Sequence, residues 1–169
     1  ETRMDGGWQT SGVNMMLSLQ AIIGNPNVPL PSRSLAAVLL RRGMGRSGAN
    51  GKTVFMAVQV LERRTVVEGL LAVLGQQQQA GDLANKVADA VAEAVRLSEE
   101  TNELAPQVMA YIAHSLSNQN TNQLTALRIL EGAPNIIHTT EQHRTAGQLL
   151  SHCLQRQDAS VSIISGVVK

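Results

Sequence analysis

The 169-residue sequence has almost no aromatic side chains: Trp8, Phe55 and Tyr111 are the whole complement. A core built without rings must be aliphatic, drawn from Leu, Val, Ile, Ala and Met. That suits helix-on-helix packing and argues against a β-sandwich. It also leaves little to stack on single-stranded nucleic acid. Cysteine is reduced to Cys153, which excludes an intramolecular disulfide framework, and no Asn-X-Ser/Thr acceptor occurs. Both fit a reducing, cytoplasmic setting. No apolar run approaches the ~18 residues that span a bilayer, and no secretory leader is legible. Charged residues make up 16% of the chain, well under the usual quarter. The chain opens on Glu1 rather than Met, so it is expected to be part of a larger protein.

What is present is aliphatic periodicity at helical spacing. Residues 1–10 read as a disordered lead-in, and 11–169 as one helical domain. Thr10 or Ser11 caps a first helix over Val13–Ile23, with Gly24 at its end. The prolines 26, 29 and 31 predict an extended connector over Asn25–Ser32. Ser32 or Ser34 then opens a helix to about Arg42, which Gly43 ends. A glycine-rich loop, Gly43–Lys52, leads into a helix from Thr53 to about Leu74, which Thr65 or Gly69 could bend. Leu83, Val87, Ala90, Val91, Ala94 and Val95 then mark the clearest amphipathic helix, N-capped by Asp82. A fifth helix carries Leu104, Val108, Ile112 and Leu116 on one face. A sixth spans about Gln123–Glu131, closed by Gly132 and Pro134. Asn135–His138 reads as a short extended piece. A last helix runs from Thr139 or Thr140 to about Arg156, and Ser160–Val168 is either a short strand or a final turn. The sequence therefore predicts an all-α, irregular bundle of about six or seven helices with no internal repeat.

Two glycine patterns suggest nucleotide chemistry. Gly43-Met44-Gly45-Arg46-Ser47-Gly48 matches G-x-G-x-x-G, and Gly51-Lys52-Thr53 resembles the end of a P-loop. The first needs a strand before it, and Leu35–Leu40 reads better as helix. The second needs glycine where Arg46 stands. Met44 is expected to be exposed in this loop.

The histidines make no metal or nucleophile set. His143 and His152 are nine residues apart, about 180° round a helix at ~100° per residue. His114 falls opposite the apolar stripe of its helix. His138 is isolated, and His152 and Cys153 diverge as helix neighbours do. Glu99, Glu100 and Glu103 sit at a polar helix end and read as solvated surface. No catalytic, cofactor or metal site is expected, and the chain is read as non-enzymatic.

Charge is more informative. Between positions 33 and 64, Arg33, Arg41, Arg42, Arg46, Lys52, Arg63 and Arg64 face only Glu62, a net of +6. Between 82 and 103, Asp82, Asp89, Glu93, Glu99, Glu100 and Glu103 outweigh Lys86 and Arg96, a net of −4. These poles can pair within the fold, pair between chains, or leave the basic one for an external anion. The expected function is a protein–protein interaction or assembly module, a helical scaffold whose contact surface is those seven basic residues. The partner is another protein, acidic in character, or a second copy. A phosphate or nucleotide at loop 43–53, and a polyanion such as nucleic acid or anionic lipid, are the competing readings. Nucleic acid is not favoured, for want of aromatics and of net positive charge.

Overall fold

The computed structural model describes residues 5–48, 51–76, 81–117, 123–137, 143–144, 146–148 and 151. Within them the chain is an all-α bundle. In order come α1 (Asp5–Gly24), α2 (Leu30–Met44), a four-residue α3 (Val54–Ala57), α4 (Val60–Gly75), α5 (Asp82–Leu97), α6 (Ala105–Ser117) and α7 (Gln123–Gly132), then a 3-10 turn at Pro134–Ile136. The described residues from 143 to 151 are also helical. The segment 160–168, left between strand and turn by its sequence, lies outside the described residues. Among the described residues no helix is long and apolar enough to cross a membrane.

The bundle is arranged around α5, which packs against α2, α4 and α7, while α1 lies across α2 and α4. All six residues of the expected α5 stripe are buried, and so are Ala84, Ala88 and Ala92. Valine and alanine thus bury most of this helix's circumference, and the small alanines let neighbours approach closely. Only a strip holding Lys86, Asp89, Glu93 and Arg96 remains polar. The α6 stripe is buried as its spacing predicts, with Leu104, Val108, Ile112 and Leu116 all inside.

Several boundaries differ from expectation for local physical reasons. α1 begins at Asp5, inside the expected disordered lead-in, so Thr10 and Ser11 are helical residues rather than caps. The proline connector is shorter than the proline count suggested. Pro29 is the N-cap of α2 and Pro31 lies in its first turn, where the missing N–H costs nothing. Gly43 does not end α2 but lies inside it, against Met15 of α1. Met44, expected to be exposed, is fully buried and belongs to the core. The expected helix from Thr53 is two: the backbone turns extended at Val58 and Gln59, between α3 and α4. Thr65 and Gly69 do not break α4. The Thr65 hydroxyl donates to the Leu61 carbonyl at 3.0 Å, and Gly69 makes room for the side chain of Gln20. Gly81, at φ 98, takes the N-cap expected of Asp82. Residues 135 and 136 form the 3-10 turn rather than an extended piece.

Gly43 and Gly132 predict opposite responses to an added methyl group. A Cβ at Gly132 would lie 2.8 Å from the Cβ of Ala92, which cannot rotate away, so α5 and α7 must part. Gly132→Ala is expected to cost about 1–3 kcal/mol. A Cβ at Gly43 meets the terminal methyl of Met15, also at 2.8 Å, but that flexible end can swing aside. Gly43→Ala should stay within about 1 kcal/mol of the parent, since alanine favours the helix. Urea unfolding followed by circular dichroism checks both, and equal losses would refute the distinction.

Candidate functional site

The seven basic residues do not converge on one face. Arg33 and Arg63 are buried, at 6% and 4% exposure. Arg33 reaches back from α2, and its Nε donates to the carbonyl of Ile23 at 2.8 Å. It thereby satisfies a carbonyl that the end of α1 leaves without a helical partner. Arg63 on α4 is held on several sides. Its Nε lies 2.6 Å from Oε1 of Glu103, and Nη2 donates to Oε2 at 3.0 Å. Nη1 donates to the Met56 carbonyl at 3.1 Å, and the guanidinium carbon lies 5.9 Å from the Phe55 ring centre. The planar fork ties α3, α4 and the segment before α6 together. Glu103, expected as solvated surface, is thus one half of a buried ion pair. Glu99 and Glu100 are exposed, and Glu99 accepts from Asn135 Nδ2 at 2.8 Å.

Arg41, Arg42 and Arg46 do share a surface. With Val38 and Gly45 they form one wall of an open groove of about 570 Å³. The other wall is the polar strip of α5: Lys86, Asp89, Glu93 and Arg96. The sequence reading placed Lys86 and Arg96 in the acidic segment and missed that α5 brings them opposite the α2 arginines. The signal was their spacing with Asp89 and Glu93 along one helix face, but no local pattern says which helix faces that strip.

The ion pairs decide which charges are spent. Arg128 of α7 engages Asp89 through both Nε, at 2.5 Å, and Nη2, at 3.1 Å. Arg41 reaches the same carboxylate only at 3.5 Å. Glu93 takes Arg96 at 2.6 Å, one turn away. Asp82 takes Lys86 at 2.5 Å. Lys86, with help from Ser34, holds the Asp82 carboxyl below the usual carboxylate range. Glu93 raises the Arg96 guanidinium, and Asp89 raises that of Arg128. Arg42 and Arg46 are exposed, and neither has an ion-pair partner among the described residues. Lys52 and Arg64 are also exposed and do not line the groove.

The glycine-rich loop has a structure of its own. Ser47 and Thr53 form an isolated antiparallel bridge. Gly48 N–H donates to the Lys52 carbonyl at 2.7 Å, and Val54 N–H to that of Arg46 at 2.9 Å. The Thr53 hydroxyl caps Met56 N–H at 3.3 Å. Leu35–Leu40 lies within α2, so the loop follows a helix rather than the strand that a dinucleotide-binding turn requires. The helix after it has only four residues.

A second hollow, about 250 Å³, lies where the end of α5 meets the 3-10 turn. Val95, Ala105, Ala133 and Ile136 make it largely apolar. Among the described residues no group of three or more His, Cys, Asp or Glu side chains is placed to hold a metal ion. His114 and His143 are at the surface, and His138, His152 and Cys153 lie outside the described residues. No family model, curated protein or solved structure matches the chain.

The Arg63–Glu103 pair yields a stability prediction. Arg63→Ala strands a buried carboxylate and should cost about 3–5 kcal/mol. The double substitution Arg63→Met with Glu103→Leu removes both charges together and should recover most of that loss. Guanidinium unfolding of the two variants checks this. A double variant no more stable than Arg63→Ala would mean that the pair's contribution is its geometry and not its matched charge.

Proposed function

We propose that the chain is a non-enzymatic interaction or assembly module, and that it meets its partner through the α2 wall of the α2–α5 groove. The observation that carries this reading is the uncompensated charge of that wall. Arg42 and Arg46 are exposed without a carboxylate, and Arg41 shares Asp89 with the better-placed Arg128. The two buried cations are matched, Arg33 by a carbonyl and Arg63 by a carboxylate, while Lys52 and Arg64 are exposed away from the groove. Three neighbouring arginines facing an open groove offer a partner planar, bidentate donors for carboxylates. The seven-residue contact surface read from the sequence contracts to Arg41, Arg42 and Arg46, with Lys86 and Arg96 facing them.

A phosphate-rich polyanion is the competing occupant of the same surface. Asp89 and Glu93 line the groove and oppose phosphate and carboxylate alike, so the salt dependence of binding separates the two. A nucleotide at loop 43–53 lacks the preceding strand and a substantial following helix.

Affinity capture with the parent chain and two charge-reversed variants tests the proposal. Arg42→Glu with Arg46→Glu should abolish most capture of a partner that the parent retains. Lys52→Glu with Arg64→Glu, the same charge change off the groove, should leave it intact. Equal retention by both variants would remove the groove from consideration. A polyanion would instead declare itself by a log-linear fall in affinity with salt.

A further inference from the structure

The exposed apolar residues of α2 continue into its uncompensated arginines. Leu35 is 58% exposed and Leu39 46%. Gly45 is the C-cap of α2 at φ −79 and ψ −4, and Arg46 N–H turns back to the Gly43 carbonyl at 3.3 Å, so Arg46 stands just beyond the helix end. At ~100° per residue, positions 35, 39 and 42 fall within about 60° of one another, and Arg46 lines the same groove wall as Arg42. One side of α2 therefore presents two leucines a turn apart, followed by Arg42, with Arg46 just beyond. Resting on the groove reading above, we infer that this stripe docks an acidic amphipathic helix of a partner protein. That helix carries two carboxylates one turn apart, followed by two aliphatic residues one turn apart.

The order of those residues follows from dipoles. Arg42 lies in the last turn of α2 and Arg46 just beyond it, where positive charge is favoured. Carboxylates are favoured in the first turns of a helix. An antiparallel partner brings its acidic N-terminal turns against Arg42 and Arg46 and its aliphatic turns against Leu35 and Leu39. Helix-in-groove recognition uses this i, i+3/i+4 anchoring.

A second copy of α2 does not fit. α2 contains no acidic residue, and antiparallel self-pairing with Leu35 against Leu39 sets Arg42 against Ser32 and Arg46 against Val28. An anionic membrane surface fits poorly as well. A helix lying in the interface carries its cations along the flanks of its apolar face, whereas here they follow the leucines at one end.

Selection from a displayed library of helical peptides, randomised along one face, tests the inference against the full chain. Enrichment of acid-x3-acid followed by an aliphatic pair is expected. The best peptide should lose about tenfold or more in affinity against Arg42→Glu with Arg46→Glu, and a similar factor against Leu35→Ser with Leu39→Ser. It should be unaffected by Lys52→Glu with Arg64→Glu. All these positions are exposed, and circular dichroism verifies that each variant keeps its helices. Selected peptides without acids, peptides bound equally by all variants, or a chain that co-sediments with phosphatidylserine vesicles while selecting no peptide would each overturn it. If captured partners still depend on Arg42 and Arg46 when the peptide pattern fails, the groove reading stands and the helical partner falls.

Discussion

Nine of the sixteen residues of α5 are buried, and they spread over most of the helix's circumference. A helix apolar on so many sides cannot lie on a surface; it needs neighbours around it. α2, α4 and α7 supply them. Because the buried residues are chiefly alanine and valine, those neighbours approach closely, and Gly132 of α7 sits against Ala92 where even one methyl would not fit. The one strip of α5 left polar then has to face the gap between packed helices. That strip, opposite the end of α2, is the far wall of the groove.

The same packing takes two arginines out of water. Burying a guanidinium is costly unless charge and hydrogen bonds are matched inside. Arg63 meets this condition with Glu103, the Met56 carbonyl and the Phe55 ring, and Arg33 donates to the last turn of α1. Both act at junctions: Arg33 between α1 and α2, Arg63 among α3, α4 and the approach to α6. What a count of charges registers as a basic surface is in part internal wiring.

The remaining arginines stand out for the same reason. Asp89 and Glu93 are engaged by Arg128 and Arg96 from within the fold, so the carboxylates nearest the α2 wall are already committed. Part of the excess positive charge, Arg42 and Arg46, lies at and just beyond the C-terminal end of α2, the helix that exposes Leu35 and Leu39. In the proposed docking mode, apolar area there would supply affinity, and the unmatched arginines orientation and discrimination. The proposed partner is accordingly amphipathic and acidic at matching intervals.

The sequence by itself determined the helices. Aliphatic spacing is a local property, and the Leu83–Val95 and Leu104–Leu116 stripes proved to be buried faces. It erred where tertiary contact outweighed local preference. Gly43 looked like a helix stop and is a packing site against Met15; Met44 looked exposed and is core; Glu103 looked solvated and is paired. Only the tertiary structure decided the fate of each charge. A side chain's charge is written in the sequence, but its partner is set by which helix faces which. The +6 segment therefore divides into buried struts, a groove wall and scattered surface cations that composition alone renders identical.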